Sequence, residues 1–242
     1  MKGPLLTIIF FNCITAFAQT GIYLTPSAGI GLTNVLARPA QSDANSLHYN
    51  AQLAAGYQLH NWRIETGIRY FTSGYATRNT LVFEQDIDPV TGAIMSAHYG
   101  SIRTTYTHIA IPLSIGYNFR LAQRWALVPM AGVAVSRNVN CNIRTKYGVH
   151  NSSRDISTQQ FDFYYNRTSV WAHLRANVEY TPAQRLSILA GLQAESMFSS
   201  LLKPVATTAP TQPTQYNYAL SFNCGVKWLL TGNGKQKNIM KG

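Results

Sequence analysis

Charged side chains stand two or four residues apart in two stretches of the chain, 63–69 and 173–179. Residues at even spacings share one face of an extended strand, because successive side chains point to opposite sides. Charges on a buried face need partners of opposite sign, so this spacing predicts a structural network of ion pairs. The predicted network comprises Arg63, Glu65, Arg69, His173, Arg175, Glu179, Glu195 and Lys227.

Nucleophilic catalysis would need a serine, a histidine and a carboxylate within hydrogen-bond reach of one another. His108 and Ser114 share a strand face, but their positions in sequence separate them by roughly 20 Å. His173 and Glu179 are separated likewise. The histidines also form no ligand-spaced cluster. We therefore expect no catalytic residues, no metal site and no cofactor, with a lipid-modifying enzyme as an alternative.

Alternation of apolar and polar residues recurs along the chain and is typical of β-strands. In YTHIAIPLSIGYNF (106–119), the large apolar residues fall on one face and the small or polar residues on the other. Each such segment is long enough for a tilted membrane strand of about 9–11 residues. The eight segments are 22–33, 47–60, 62–71, 106–119, 125–135, 170–180, 186–195 and 216–228.

The links between these segments alternate between short and long. The short links are 60–61, 120–124 and 181–184, and the long links are 34–46, 73–101, 138–166 and 200–215. Short periplasmic turns and long extracellular loops are typical of outer-membrane barrels. The sequence therefore predicts an all-β fold, an eight-stranded antiparallel up-and-down transmembrane β-barrel.

The two faces of the segments differ in a way that indicates which one lies inside. The polar face is rich in Gly, Ala, Ser, Asn and Gln and carries few charges, unlike the exterior of a soluble barrel. Small polar side chains suit the narrow, filled lumen that about eight strands enclose. A secreted soluble sandwich is the alternative. On the apolar face, an aromatic girdle is predicted beside the short turns, formed by Tyr57, Trp62, Tyr117, Phe119, Trp125, Tyr180 and Trp228.

Prolines interrupt three of the predicted strands, at Pro26, Pro112 and Pro129. Proline removes a ladder donor and usually lies at an edge or a bulge. Pairing across the short turn is expected to bring Pro112 close to Pro129. We therefore predict a bulge or a locally open ladder there, and the facing of the fifth strand stays open.

The N-terminus, MKGPLLTIIFFNCITAFAQ, combines a lysine, an apolar run and a small-x-small site, which predicts a signal peptide over 1–18. The barrel would then cover 19–230 and a short basic periplasmic tail 231–242. The formal net charge is +11, but the basic residues are dispersed and no nucleic-acid motif accompanies them, so nucleic acid is not an expected partner.

Two stretches carry a family resemblance. The stretch IPLSIGYNF (111–119) is followed by Trp125, Pro129 and Ala131-Gly132, and ALSFNCGVKW covers 219–228. This pattern resembles the outer-membrane β-barrel proteins of Bacteroidetes-type bacteria, which include PorT-like secretion accessory barrels. The resemblance implies a barrel in the outer membrane of a Gram-negative bacterium.

The expected function is therefore non-enzymatic. We expect an outer-membrane barrel with a side-chain-filled lumen and a structural, adhesive or accessory role, and a small-solute channel is the alternative. The link 138–166 mixes basic and aromatic residues, which suits contact with lipopolysaccharide or a protein partner, and the alternative is strand extensions above the membrane with a solvated loop. Outer-membrane lipid is the other expected partner.

Overall fold

The chain is described here by a computed structural model covering residues 20–38, 44–86, 94–147, 150–155, 165–183, 185–202 and 214–230. The predicted signal peptide and basic tail lie outside these ranges. Within them, no helix is long and apolar enough to cross a membrane. The strands are β1 (Gly21–Arg38), β2 (Ser46–Leu59), β3 (Trp62–Asp86), β4 (Ile94–Tyr117), β5 (Phe119–Arg120), β6 (Trp125–Tyr147), β7 (His150–Asp155), β8 (Thr168–Ala183), β9 (Leu186–Met197) and β10 (Thr214–Leu229).

Eight of these strands close into one antiparallel ring. Strands adjacent in sequence pair with one another, and the ring closes where β1 pairs β10, for example at Ile30↔Phe222. The remaining described strands are β5, which pairs with β6 beyond the end of β4, and β7, which forms a hairpin with the far part of β6. The predicted eight-stranded antiparallel up-and-down barrel is confirmed.

Alternate residues of each strand face the inside and the outside of this ring. On β4, Ile111 and Leu113 are 65% and 56% exposed, whereas Ser114 is 3% exposed. Most polar and charged side chains of the strands are buried, whereas their large aliphatic side chains are exposed. The interior is therefore polar and the exterior apolar, the reverse of a soluble protein.

The strands extend further than the alternation predicted. β3 runs to Asp86 and β4 begins at Ile94, so the predicted long link 73–101 is wrong over most of its length. For the link 138–166, strand extension is what the described residues show, since β6 reaches Tyr147 and pairs with β7. These extensions lie beyond the part of the barrel with an apolar exterior. They need no apolar face and therefore lack the strict alternation, and backbone pairing holds them together. Of DIDPVTG, only Asp86 lies within the described residues, and 203–213 lies outside them.

The two ends of the barrel differ in the length of the connections between strands. We call the end with the turns at 60–61 and 121–124 and with the connection from β8 to β9 the short-turn end, and the opposite end the far end. β3 and β4, with 25 and 24 residues, carry the sheet furthest toward the far end.

The expected proximity of Pro112 and Pro129 is wrong. Pro112 pairs with Ala134 in an unbroken stretch of the β4–β6 ladder, because the turn after β4 is long enough to shift the register. The ladder is open beside Pro129, where pairing stops at Gly116↔Met130 and resumes at Phe119↔Leu127. The open ladder is therefore confirmed at Pro129 and contradicted at Pro112.

The facing of β6 does not change at its proline. Val128 and Met130 are both buried, on either side of Pro129, so the same parity continues through it. The register shift of this ladder lies at Thr107/His108, where Val139 is passed over between Asn138 and Asn140. The bulge is therefore ten residues beyond the proline, at the transition to the strand extensions.

Candidate functional site

The structure places all of the charged side chains of the predicted network inside the ring. Each of them is buried, with at most 7% of its surface exposed. They come from opposite sides of the ring, and this brings cations to carboxylates. The residues concerned are Arg63, Glu65 and Arg69 on β3, His173, Arg175 and Glu179 on β8, Glu195 on β9 and Lys227 on β10.

A bidentate ion pair spans the lumen from β3 to β9. Arg69 donates from Nη1 and Nη2 to the two carboxylate oxygens of Glu195 at 2.8 and 2.9 Å. Such a bidentate arrangement satisfies both carboxylate oxygens and fixes the orientation of the guanidinium. Phe71 covers the other side of Arg69, with its ring centroid 4.4 Å from Cζ.

The second pair joins β8 to β3. Arg175 Nη2 donates to Glu65 Oε1 at 2.7 Å. Gln52 donates to the same oxygen at 3.3 Å, and the Tyr23 hydroxyl lies 3.4 Å from Oε2. Glu65 is therefore held by side chains from β1, β2 and β8, which ties three parts of the ring wall to one carboxylate.

Two cations share one carboxylate toward the short-turn end. Arg63 Nη1 lies 2.6 Å from Glu179 Oε2, and Lys227 Nζ pairs with Glu179 Oε1. The Tyr23 ring lies close to both cations, 6.0 Å from Arg63 Cζ and 5.7 Å from Lys227 Nζ. The site therefore joins β1, β3, β8 and β10.

A second, aromatic layer fills the lumen on the far-end side of these charges. Phe71, His108 and Trp171 pack together, with the Phe71 centroid 4.8 Å from His108 and 5.1 Å from Trp171. Trp171 Nε1 donates to Ser136 and Ser169 at 3.0 Å. Sequence reasoning gave this layer no role. In the sequence, bulky aromatic residues at the lumen-facing positions of the alternation could have indicated this layer.

The structure also brings together serine and histidine residues that the sequence did not. Ser114 Oγ lies 2.8 Å from His173 Nε2, and Ser73 Oγ lies 2.9 Å from His108 Nε2. Both histidines have an Nδ1 with no hydrogen-bond partner among the described residues. A nucleophilic triad requires a carboxylate at that nitrogen to orient the imidazole. The four side chains are at least 95% buried, so no substrate reaches them in this conformation.

The predicted aromatic girdle lies on the outside of the ring at the short-turn end. Trp62 packs edge-on against Tyr117 with centroids 5.1 Å apart, and Trp125 lies 4.7 Å from Tyr180. Tyr117 also lies 4.7 Å from Phe119. Tyr57 and Trp228 are 47% and 59% exposed on the same outer face.

A second row of outward aromatics lies nearer the far end. Tyr49, Tyr70 and Tyr218 are 46–48% exposed, and aliphatic side chains separate them from the girdle. We call this zone the aliphatic belt; its outward residues include Ile30, Leu53, Ile68, Ile111, Leu113, Val133, Leu174, Leu192 and Leu220.

The two cysteines of the described ranges, Cys141 and Cys224, lie in different environments and form no disulfide with one another. Cys141 lies on β6 beyond the aliphatic belt, and burial raises the pKa of its thiol to about 12. Cys224 is exposed on the outer face of β10. Over the described ranges, no group of three or more His, Cys, Asp or Glu side chains could hold a metal ion.

No protein-family model matches the chain, and no curated protein matches it. Solved structures of similar fold include Neisserial surface protein A, with a TM-score of 0.43 and 14% identity over 87% of this chain and 98% of that one. A major outer membrane protein of Thermus thermophilus gives 0.44 and 12%, over 86% and 98%. The outer membrane protein OprG of Pseudomonas aeruginosa gives 0.43 and 8%, over 87% and 96%.

These neighbours are outer-membrane β-barrel proteins. Similarity at these identities and TM-scores does not extend to the activity of the neighbours. The architecture given above rests on the strand pairings of this chain.

The Arg69–Glu195 pair gives a direct test of the network. Replacing Glu195 by Gln leaves a buried guanidinium without its carboxylate, so we expect E195Q to lower the free energy of unfolding by about 3–5 kcal/mol. The double variant R69M/E195Q removes both charges and is expected to lose less than E195Q alone. Urea unfolding followed by tryptophan fluorescence measures both. If the double variant lost as much as the single variants R69M and E195Q lose in sum, the pair would contribute no coupling.

Proposed function

We propose that the protein is an integral outer-membrane β-barrel of a Gram-negative bacterium, without enzymatic activity and with a closed lumen. It serves a structural, adhesive or accessory role through its far end, and the short-turn end faces the periplasm. In this proposal residues 1–18 direct export and are removed.

The observation that carries this proposal is the inversion of polarity between the two faces of the ring. Leu53, Ile68 and Ile111 are 59–65% exposed, whereas Arg69 at the same level of the sheet is fully buried. In water, a belt of this kind around a whole barrel would expose far more contiguous apolar surface than soluble proteins tolerate. Hydrocarbon removes that cost, and outward tyrosines at both margins, joined by tryptophans at the short-turn margin, suit the two interfaces of a bilayer.

Cys224 is a native reporter of this environment. It lies on the outer face opposite Ala28 and Ala190, among the aliphatic belt residues. In protein produced from Gln19 onward and folded into lipid vesicles, we expect a charged thiol reagent to leave Cys224 unlabelled until the barrel is unfolded. Cys141 is also expected to remain unlabelled in the folded state. Only a thiolate reacts, and burial raises the pKa of the Cys141 thiol to about 12.

A matched variant, Q123C, places a thiol on the exposed short-turn end and is expected to react in folded vesicles. The reactions are followed by mass spectrometry. Rapid labelling of Cys224 at the rate of Q123C would place the belt in water and contradict the proposal.

The filled lumen favours a closed barrel rather than a channel. The ion pairs occupy the interior between the short-turn end and the Phe71–His108–Trp171 layer, so a solute would have to displace both. Breaking buried ion pairs costs several kcal/mol each. Among the described residues, no carboxylate bonds His173 Nδ1 beside Ser114, and both side chains are buried, which supports the absence of enzymatic activity.

We expect no stable conductance steps when the purified barrel is inserted into planar lipid bilayers. Known porins in the same bilayers serve as the control for insertion. Sizeable, long-lived steps would favour the small-solute channel instead.

The far end carries a basic surface suited to lipopolysaccharide. Arg103 on β4 lies directly opposite Arg144 on β6, and both side chains are exposed. Like charges opposite each other destabilise a sheet unless an anion lies between them. Lys146 is exposed two residues further along β6. We call these three residues the basic rim.

The position of the basic rim relative to the aliphatic belt supports the same partner. Tyr70 of the outer aromatic row pairs with Ile109, and Arg103 lies six residues beyond it on β4, or roughly 20 Å along the strand. Phosphorylated sugars of an outer-leaflet glycolipid extend to such a height, whereas the headgroups of phospholipids are shorter. Bidentate arginine–phosphate contacts are strong, so the rim favours lipopolysaccharide.

Removing both arginines should weaken this contact. We expect R103Q/R144Q to bind fluorescent lipopolysaccharide in detergent at least about tenfold more weakly than the parent protein. The control R120Q/R124Q removes two exposed cations at the short-turn end and is expected to bind like the parent. Equal weakening by both double variants would mean that only net charge matters.

Within this proposal, the motif IPLSIGYNF and the closing strand ALSFNCGVKW favour the Bacteroidetes-type barrel family, including its PorT-like secretion accessory members. The extended strands at the far end give such a protein a rigid surface for a partner. A protein partner would bind there, above the lipid.

A further inference from the structure

The buried charges of the lumen do not balance. Arg63, Lys227 and Arg175 are associated with only two carboxylates, Glu179 and Glu65. We call these five residues the lumenal cluster. All of its members are at most 7% exposed.

The other buried ion pair of the described lumen cannot absorb the difference. Arg69 and Glu195 neutralise each other through a bidentate contact. The buried cations of the described lumen therefore outnumber its carboxylates by one. Protonation of a buried imidazole would only enlarge this excess. An unbalanced charge away from water costs several kcal/mol, so a counter-ion nearby would stabilise the fold.

A small cavity lies beside the lumenal cluster. Its polar lining residues are Thr25, Ser27, Arg175, Asn177 and Asn223. Its volume is about 10 Å³, just enough for one water molecule, so a monatomic anion fits it with a small outward shift of the lining side chains. The lining contains one cation and no carboxylate, so the electrostatic field in the cavity favours an anion.

Hydrogen-bond donors on the lining are without partners. Arg175 Nε and Thr25 Oγ1 are buried and have no hydrogen-bond partner within the described ranges, and the acceptor Asn223 Oδ1 on the same lining has none either. Rotation of the Asn223 amide by 180° would turn its Nδ2 donor to that position, since the two amide atoms are interchangeable in shape. Arg175 is 7% exposed and Thr25 is 2% exposed, so bulk water does not satisfy them. Leaving such donors unsatisfied costs about 1–3 kcal/mol each, and more where the group is charged. An anion in the cavity accepts from both.

We propose that this cavity binds one small monovalent inorganic anion, a halide such as chloride, as the counter-ion of the lumenal cluster. The anion accepts hydrogen bonds from Arg175 Nε and Thr25 Oγ1 and balances the third cation. The small volume excludes larger anions such as sulfate or gluconate. The site depends only on the interior of the barrel and is independent of the role proposed for its far end.

The test compares the stability of the full barrel refolded in sodium chloride, sodium bromide or sodium gluconate at equal ionic strength. At ten times its dissociation constant, a halide is expected to raise the midpoint of thermal unfolding by roughly 3–6 °C over gluconate, and the effect should saturate. Crystals grown in bromide are expected to show an anomalous peak beside Arg175 and Thr25.

Two variants locate the effect. T25V removes a donor at nearly constant volume and should weaken the halide dependence. K227M removes the excess cation and should abolish it. The control R137Q removes an exposed cation outside the lumen and should keep the full dependence.

Several results would overturn the proposal. A midpoint equal in all three salts would mean that water fills the cavity or that Lys227 is uncharged. A halide effect of parental size in K227M would place the ion elsewhere. If K227M does not fold, the anomalous peak and the T25V titration decide the question, and absence of the peak would also overturn the proposal.

Discussion

Closure of the sheet is the constraint on which the rest of this structure depends. Because β1 pairs β10 and β4 pairs β6, the described ring has no edge strand, and each strand of the ring has a neighbour on both sides. A ring of this size has an interior only wide enough for side chains. Every polar group that points inward must then find its partner on another part of the same wall.

The lumenal side chains add a second set of connections to those of the sheet. Backbone hydrogen bonds join neighbouring strands, whereas Arg69–Glu195 joins β3 to β9 and Arg175–Glu65 joins β8 to β3. These strands are not neighbours in the ring. The ion pairs therefore act as struts across the barrel and resist flattening, a deformation that the ladders alone would permit.

The alternation in sequence predicted which side chains lie inside, but it could not predict which of them meet. Arg63 contacts Glu179 because of the stagger between β3 and β8, and the residue pattern of a single strand does not determine that stagger. The Ser114–His173 contact could not be predicted for the same reason, since spacing along one strand carries no information about contacts across the lumen. Pro112 was misplaced because a turn length fixes register, and an error there moves the pairing of the whole strand.

The meeting of β1 and β10 has a consequence for how this protein acquires its structure. The first described strand finds half of its hydrogen bonds on the last, so the ring cannot be completed until nearly all of its sequence is present. Contacts between segments so remote in sequence are slow to form, and they form late. An incomplete chain would present two unpaired margins, at β1 and at the most recent strand, and each could capture another chain. Assembly of this barrel therefore requires that its first strand be shielded until the last one arrives.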